Sequence, residues 1–179
     1  NRWGLFPSAA FAWKIKEEGF LKNTTLFSDL KLRLGYGVTG QQDGIANYYY
    51  RPSYFSGYAD EQYSFGNTSY LTVNPGAYNL NLKWEETASS NVGLDFGFLK
   101  NRITGSVDVY YKETKDLLNN TRVPLGFNQG SELLLNIGTM ENRGVEFALK
   151  AIPVQNDNVT WDLNFNFTYN ENKITHLND

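Results

Sequence analysis

Cysteine is absent from the sequence, which excludes a disulfide framework, a thiol nucleophile and a cysteine-ligated metal while leaving every compartment open. Histidine is nearly absent: His176 is the only one in 179 residues, and it falls in the polar stretch "ENKITHLND", where it reads as a loop residue and not as part of a catalytic pair. No apolar run approaches the roughly 18 residues of a membrane helix, and the mean hydropathy is -0.47. Helical spanning is therefore excluded, but a membrane barrel is not, because its strands present apolar residues only at every second position. There is no excess of positive charge either: 16 basic against 19 acidic side chains give a net charge of -3, which argues against a nucleic-acid partner. The length suffices for one domain with a core. The chain starts at Asn1 with neither initiator Met nor signal peptide, so the expectation is a piece of something longer.

What the sequence has instead is alternation. In "VTWDLNFNFTYN", Val159, Trp161, Leu163, Phe165, Phe167 and Tyr169 occupy every odd position, with Thr, Asp and Asn between them. The same pattern recurs over Leu30 to Val38, Val92 to Phe98, Ile103 to Tyr111 and Val145 to Ala151, and more weakly over Leu5 to Ile15. Period two means β-strands, and about six are predicted.

The greasy face of such strands meets either a protein core or lipid. The alternating runs last about nine to eleven residues against about five or six in a typical globular strand. At roughly 3.3 Å per residue and a tilt near 40°, ten residues rise about 25 Å, the height of the apolar band of an outer-membrane barrel. Connection lengths alternate as well. "LKNR" and "IPVQNDN" read as short turns, whereas the segments between Val38 and Trp84 and between Lys112 and Arg143 far exceed the usual four to six or so residues. Up-and-down barrels with brief turns at one end and large loops at the other have this rhythm. Six strands cannot close a membrane barrel, which needs about eight or more, so further strands are expected from elsewhere.

Candidate functional residues follow from this frame. Lys31, Arg33, Asp95, Asp108, Glu146, Lys150 and Asp162 all fall on the polar parity, as residues facing a wet lumen would. Trp13, Trp161 and Tyr169 are placed as interfacial girdle residues, the last two near opposite ends of one strand. The same aromatics would also suit an ordinary core. The segment "NYYYRPSYFSGYADEQYSFGNTSY" gathers Tyr48, Tyr49, Tyr50, Tyr54, Phe55, Tyr58 and Tyr63 in one polar-punctuated loop. Tyrosine offers a stacking face and a hydroxyl at low entropic cost, suited to sugars, peptides or a partner protein; the alternative is a loop packed on its own aromatics.

Other motifs carry less. "GYGVTG" fits a dinucleotide fingerprint, but "QQDGIANYYYRP" offers no helix after it. Glu85 and Glu86 point to opposite faces if the strand has begun. Asp60 and Glu61 are too few to argue calcium, and no metal site, cofactor or catalytic constellation is expected. The Asn-x-Ser/Thr matches arise from a composition rich in Asn and Thr.

Several ordered motifs resemble the SusC/RagA-like TonB-linked outer-membrane transporters. "FPSAAFAWKIKEEGFL", "DLKLRLGYGVTGQQDGIANY", "NLNLKWEETASSNVGLDFGFLKNRITGSVDVYYKETKDLL" and "NIGTMENRGVEFAL" are similar to that family's series, over nearly the whole chain. "GQQ" and "NLN" depart from its usual Gly-Asn and Asn-Pro. The resemblance implies an all-β, antiparallel up-and-down transmembrane barrel of 22 strands, of which residues 1–179 would supply about six, with plug and remaining strands absent. It further implies a bacterial outer-membrane location in contact with lipid, energisation by TonB through an absent N-terminal region, a SusD-like lipoprotein lid, oligosaccharide or peptide oligomers as substrate, and no enzymatic step. The polar-face residues would then meet the plug or the translocation path. Its rivals are a soluble, secreted carbohydrate-binding β-sandwich and a passive porin wall.

Overall fold

The structure, a computed structural model, describes residues 3–57, 61–122, 124 and 132–177. Six long strands form one antiparallel sheet: β1 (Ser8–Lys14), β2 (Phe27–Gln41), β7 (Glu85–Phe98), β8 (Ile103–Lys115), β11 (Thr139–Gln155) and β12 (Thr160–His176). Each pairs with its predecessor in that order, as an up-and-down meander does. The fold class and the six strands agree with the sequence expectation, and the six strands leave the sheet open.

The predicted parities are the observed faces. Cross-strand partners run Phe11, Leu34, Val92, Val109, Val145, Tyr169 in one row and Trp13, Leu32, Leu94, Val107, Phe147, Phe167 in the next. The next contains Leu30, Phe96, Gly105, Leu149 and Phe165. Gly105 leaves its place to the Phe96 ring, which lies where a Cβ would stand. Among the described residues nothing covers this apolar face: Phe165 and Phe167 are 51% and 54% exposed. Among the described residues the buried apolar side chains are Leu82 and Leu134, and neither belongs to the sheet.

Four expectations are corrected. Five of the six strands outlast the alternating apolar runs, whereas β1 has only seven residues within the Leu5 to Ile15 run; β11 and β12 have 17 residues each, about 55 Å at roughly 3.3 Å per residue. Past Tyr169 the same face turns charged, with Glu171 and Lys173 opposite Arg143 and Glu141, so the strands continue beyond the apolar band. Tyr169 thus sits mid-strand, and His176 closes β12 and is not a loop residue. "IPVQNDN" is not all turn. β11 runs on to Gln155 through a bulge between Ala151 and Val154, where Pro153 costs no ladder bond. The turn itself is Asn156 to Val159, whose backbone N–H groups at Asn158 and Val159 donate to the Asn156 side chain at 3.0 and 2.8 Å.

The connections keep their rhythm. Residues 15–26 (with the 3-10 turn Ile15–Glu17), 99–102 and 156–159 lie at one end. The described parts of residues 42–84 and 116–138 lie at the other, and they contain short hairpins that periodicity did not reveal: β3 (Tyr54–Ser56) with β6 (Val73–Pro75), β4 (Gln62–Phe65) with β5 (Thr68–Leu71), and β9 (Leu118–Arg122) with β10 (Glu132–Asn136).

Candidate functional site

Polar side chains gather on the sheet's second face. Arg33 on β2 reaches across β7: its Nε and Nη2 donate to both oxygens of Asp95 at 2.8 to 3.1 Å, and Nη2 also meets Asp108 of β8 at 2.8 Å. Gly93 lies between Arg33 and Asp108 in the register, and a Cβ there would stand against both side chains. The glycine is what lets a guanidinium bridge two strands. Lys31 adds a longer contact to Asp95, 3.8 Å. Glu146 faces Asp108 across β8 and β11, two carboxylates side by side. Lys150 and Asp162 form a separate pair at 3.6 Å. Four of the six expected lumen residues therefore make one network, Glu146 borders it, and Asp162 stands apart.

The aromatic loop is open, not packed on itself. Tyr48, Tyr54 and Tyr63 are 66%, 69% and 65% exposed, and Tyr49, Tyr50 and Phe55 are also exposed. Among the described residues its ring contacts are Tyr63 with Phe65 at 6.4 Å and the Arg51 guanidinium over Tyr48 at 5.8 Å. Tyr48, Tyr49 and Phe55 meet around a cavity of about 410 Å³ that Arg51, Ser53 and Gly76 also line, together with Glu132 from the other long loop. Tyr50, Tyr54 and Tyr63 stay outside it, and Tyr58 and Asp60 lie outside the described residues. Arg51 and Glu132 are the residues that sequence reasoning missed. Arg51 sits inside the tyrosine run, but nothing local connects Glu132 to a loop 80 residues earlier.

Where the two long loops leave the sheet, they are tied together. The Asn136 side chain donates to the carbonyls of Lys83 and Asp116 at 2.8 and 2.9 Å and accepts from the Lys83 N–H at 2.8 Å. The Leu118 N–H donates to Glu85 at 2.8 Å, and Asn79 donates to the Leu134 carbonyl at 3.3 Å. Leu82 and Leu134 are buried here, and Trp84 stacks on Phe6 with ring centroids 5.7 Å apart. The sequence fragments "FPS", "LKWE", "TKDLL" and "NIG" therefore converge on one junction. Gly138, at φ 104°, supplies the left-handed residue that returns the chain into β11.

Comparison with known proteins agrees with this architecture. Residues 1–179 match the family described as TonB dependent receptor-like, beta-barrel. The chain belongs to that family. It is 52% identical over 177 residues to the TonB-dependent receptor SusC of Bacteroides thetaiotaomicron, covering 99% of this chain and 18% of that receptor. TonB-dependent receptor P39 of Formosa agariphila is 39% identical over 188 residues, 99% of this chain and 16% of the relative. Among solved structures, the RagAB peptide importer in its open-open state superposes with a TM-score of 0.84 at 30% identity, over 99% of this chain and 18% of that one. The chain thus spans less than a fifth of the length of these relatives. The SusC/RagA-like resemblance read from the motifs holds, and with it a place in the bacterial outer membrane. The soluble sandwich finds no support: no second sheet covers the apolar face among the described residues.

Proposed function

We propose that this chain is a wall segment, one partial barrel domain over residues 1–179, of a transporter that takes up glycan or peptide oligomers across the outer membrane, energised through TonB and working with a SusD-like lipoprotein. No covalent chemistry is assigned to it. The observation that carries the reading is a single sheet whose apolar face is uncovered while its other face holds ion pairs: lipid is the solvent that suits the first face and a wet lumen the second.

Trp13 and Trp161 give an independent argument. In the register, Trp13 is level with Phe167, six residues beyond Trp161. Six residues are about 20 Å along a strand, and the five strand steps from β1 to β12 are about 24 Å across. If both indoles lie in one interfacial girdle, the strands tilt by about 40°, inside the usual range of roughly 35–45° for membrane barrels. Tyr169 belongs to the opposite girdle, about 26 Å along β12 from Trp161, and at this tilt Tyr111, two strands away and one row further along, comes level with it. Lys31, Arg33, Asp95, Asp108, Glu146 and Asp162 face the plug or the translocation path, with Glu146 the carboxylate best placed to receive a basic side chain from the lumen.

The cavity between the long loops is the capture surface for substrate or for the lipoprotein lid. Replacing Tyr48, Tyr49, Tyr50 and Tyr54 with Ala in the full-length protein is expected to lower uptake or lid association at unchanged barrel assembly. Unchanged uptake and lid binding would contradict the assignment. Uptake that persists without TonB would favour the passive porin wall.

A further inference from the structure

The cavity has a wall from each long loop, and those loops are separate in sequence, so something must hold them in register. We infer that Asn136 is the positioning residue that does so, which rests on the capture role proposed for the cavity. Its primary amide pairs with the N–H and C=O of Lys83 as a neighbouring strand would, and its second N–H takes the Asp116 carbonyl. Asn136 ends β10 and is paired with Leu118 at the base of the β9 and β10 hairpin. Glu132, four residues along β10, is the residue that reaches the cavity. Fixing the base of this hairpin on the residues that lead into β7 therefore fixes the carboxylate beside Tyr48, Tyr49 and Arg51.

The chemistry selects asparagine. Aspartate has the same shape and keeps an acceptor for the Lys83 N–H, but it has no donor for two carbonyls and sets a charge against them. Alanine loses all three bonds and leaves the Lys83 amide seeking water. Three hydrogen bonds of ordinary net strength favour the docked loop on the order of a hundredfold, enough that removing them populates undocked states without touching the sheet.

The test uses the full-length transporter, freed of other cysteines, with spin labels at Ser56→Cys and Asn120→Cys, one in each loop. Distances are read by pulsed electron resonance, and uptake is read with whichever oligomer of a glycan and peptide panel the parent imports. One narrow distance distribution is expected in the parent. Asn136→Ala and Asn136→Asp should both broaden it and lower uptake severalfold, with the barrel's melting temperature unchanged. A distribution as narrow in both variants as in the parent would overturn the inference and leave the capture surface standing. So would broadened distances with normal uptake, provided that the tyrosine variants still lower it. If neither the Asn136 nor the tyrosine variants alter uptake, the capture role itself falls.

Discussion

The sheet and the loop junction solve opposite problems with the same residue types. In the sheet, Phe165, Phe167, Val92 and Val109 stand exposed on regular strands of 13 to 17 residues. At the junction, Leu134 on the five-residue β10 and Leu82 just before β7 are 7% and 8% exposed. An apolar side chain is buried where the medium is water and left out where the medium is lipid, so the place where leucine hides marks the boundary between the two. Hydrogen bonding divides the same way. Sheet strands satisfy their backbone in ladders, whereas the junction adds to its short ladder the side chains of Asn79, Glu85 and Asn136.

The contrast breaks most sharply with a charge. Phe167→Arg places a guanidinium in the middle of the apolar face and should cost about 2–4 kcal/mol of barrel stability. Asn166→Arg, one residue away on the other face, should stay within about 0.5 kcal/mol. Denaturant unfolding of the full-length protein in bilayers separates the two, and equal costs would erase the distinction between the faces.

Leu134→Ala should act on the junction alone. Deleting a buried leucine side chain costs roughly 2–5 kcal/mol where the site does not collapse, and here the loss should appear as faster hydrogen exchange at the Leu118 and Lys83 amides with the barrel's melting unchanged. Global destabilisation would mean that the junction and sheet are one cooperative unit.

Smaller again is the ion network. Arg33→Gln removes the bridge between Asp95 and Asp108, and in a wet lumen this should cost only about 1 kcal/mol and make unfolding less salt-dependent. A loss several times larger would place the network in a dry interior. An effect of similar size is expected at the hydroxyl pair of Thr87 and Thr114, 2.9 Å apart: Thr87→Val should cost about 0.5–1.5 kcal/mol by the same unfolding assay.

How much of this was legible in the sequence follows the same division. The sheet announced itself because period two is local: every odd residue from Trp161 to Tyr169 belongs to the face its parity assigns, and so do Arg33, Asp95 and Asp108. Boundaries were misread where local polarity misleads. Glu171 to His176 look like a tail, yet β11 offers them a ladder as far as Thr139, and their polarity reflects a strand that has left the apolar band. Ile152 to Val154 look like a turn because of Pro153, which a bulge accommodates. The hairpins of the long loops and the Asn136 clamp were not legible, because side-chain bonds between residues 53 positions apart leave no period. The ordered motifs identified the family, but only the meeting of "FPS", "LKWE", "TKDLL" and "NIG" in space explains what these fragments do.

The medium that the apolar face meets distinguishes a barrel wall from a buried sheet. A single cysteine at Leu163 or at Asn164 of the full-length parent, spin-labelled, can be relaxed by oxygen, which concentrates in lipid, or by a water-soluble nickel chelate. Position 163 should respond to oxygen and position 164 should not. Shielding of 163 from both agents, with 164 responding to nickel, would make the odd face a protein core and contradict the barrel-wall reading.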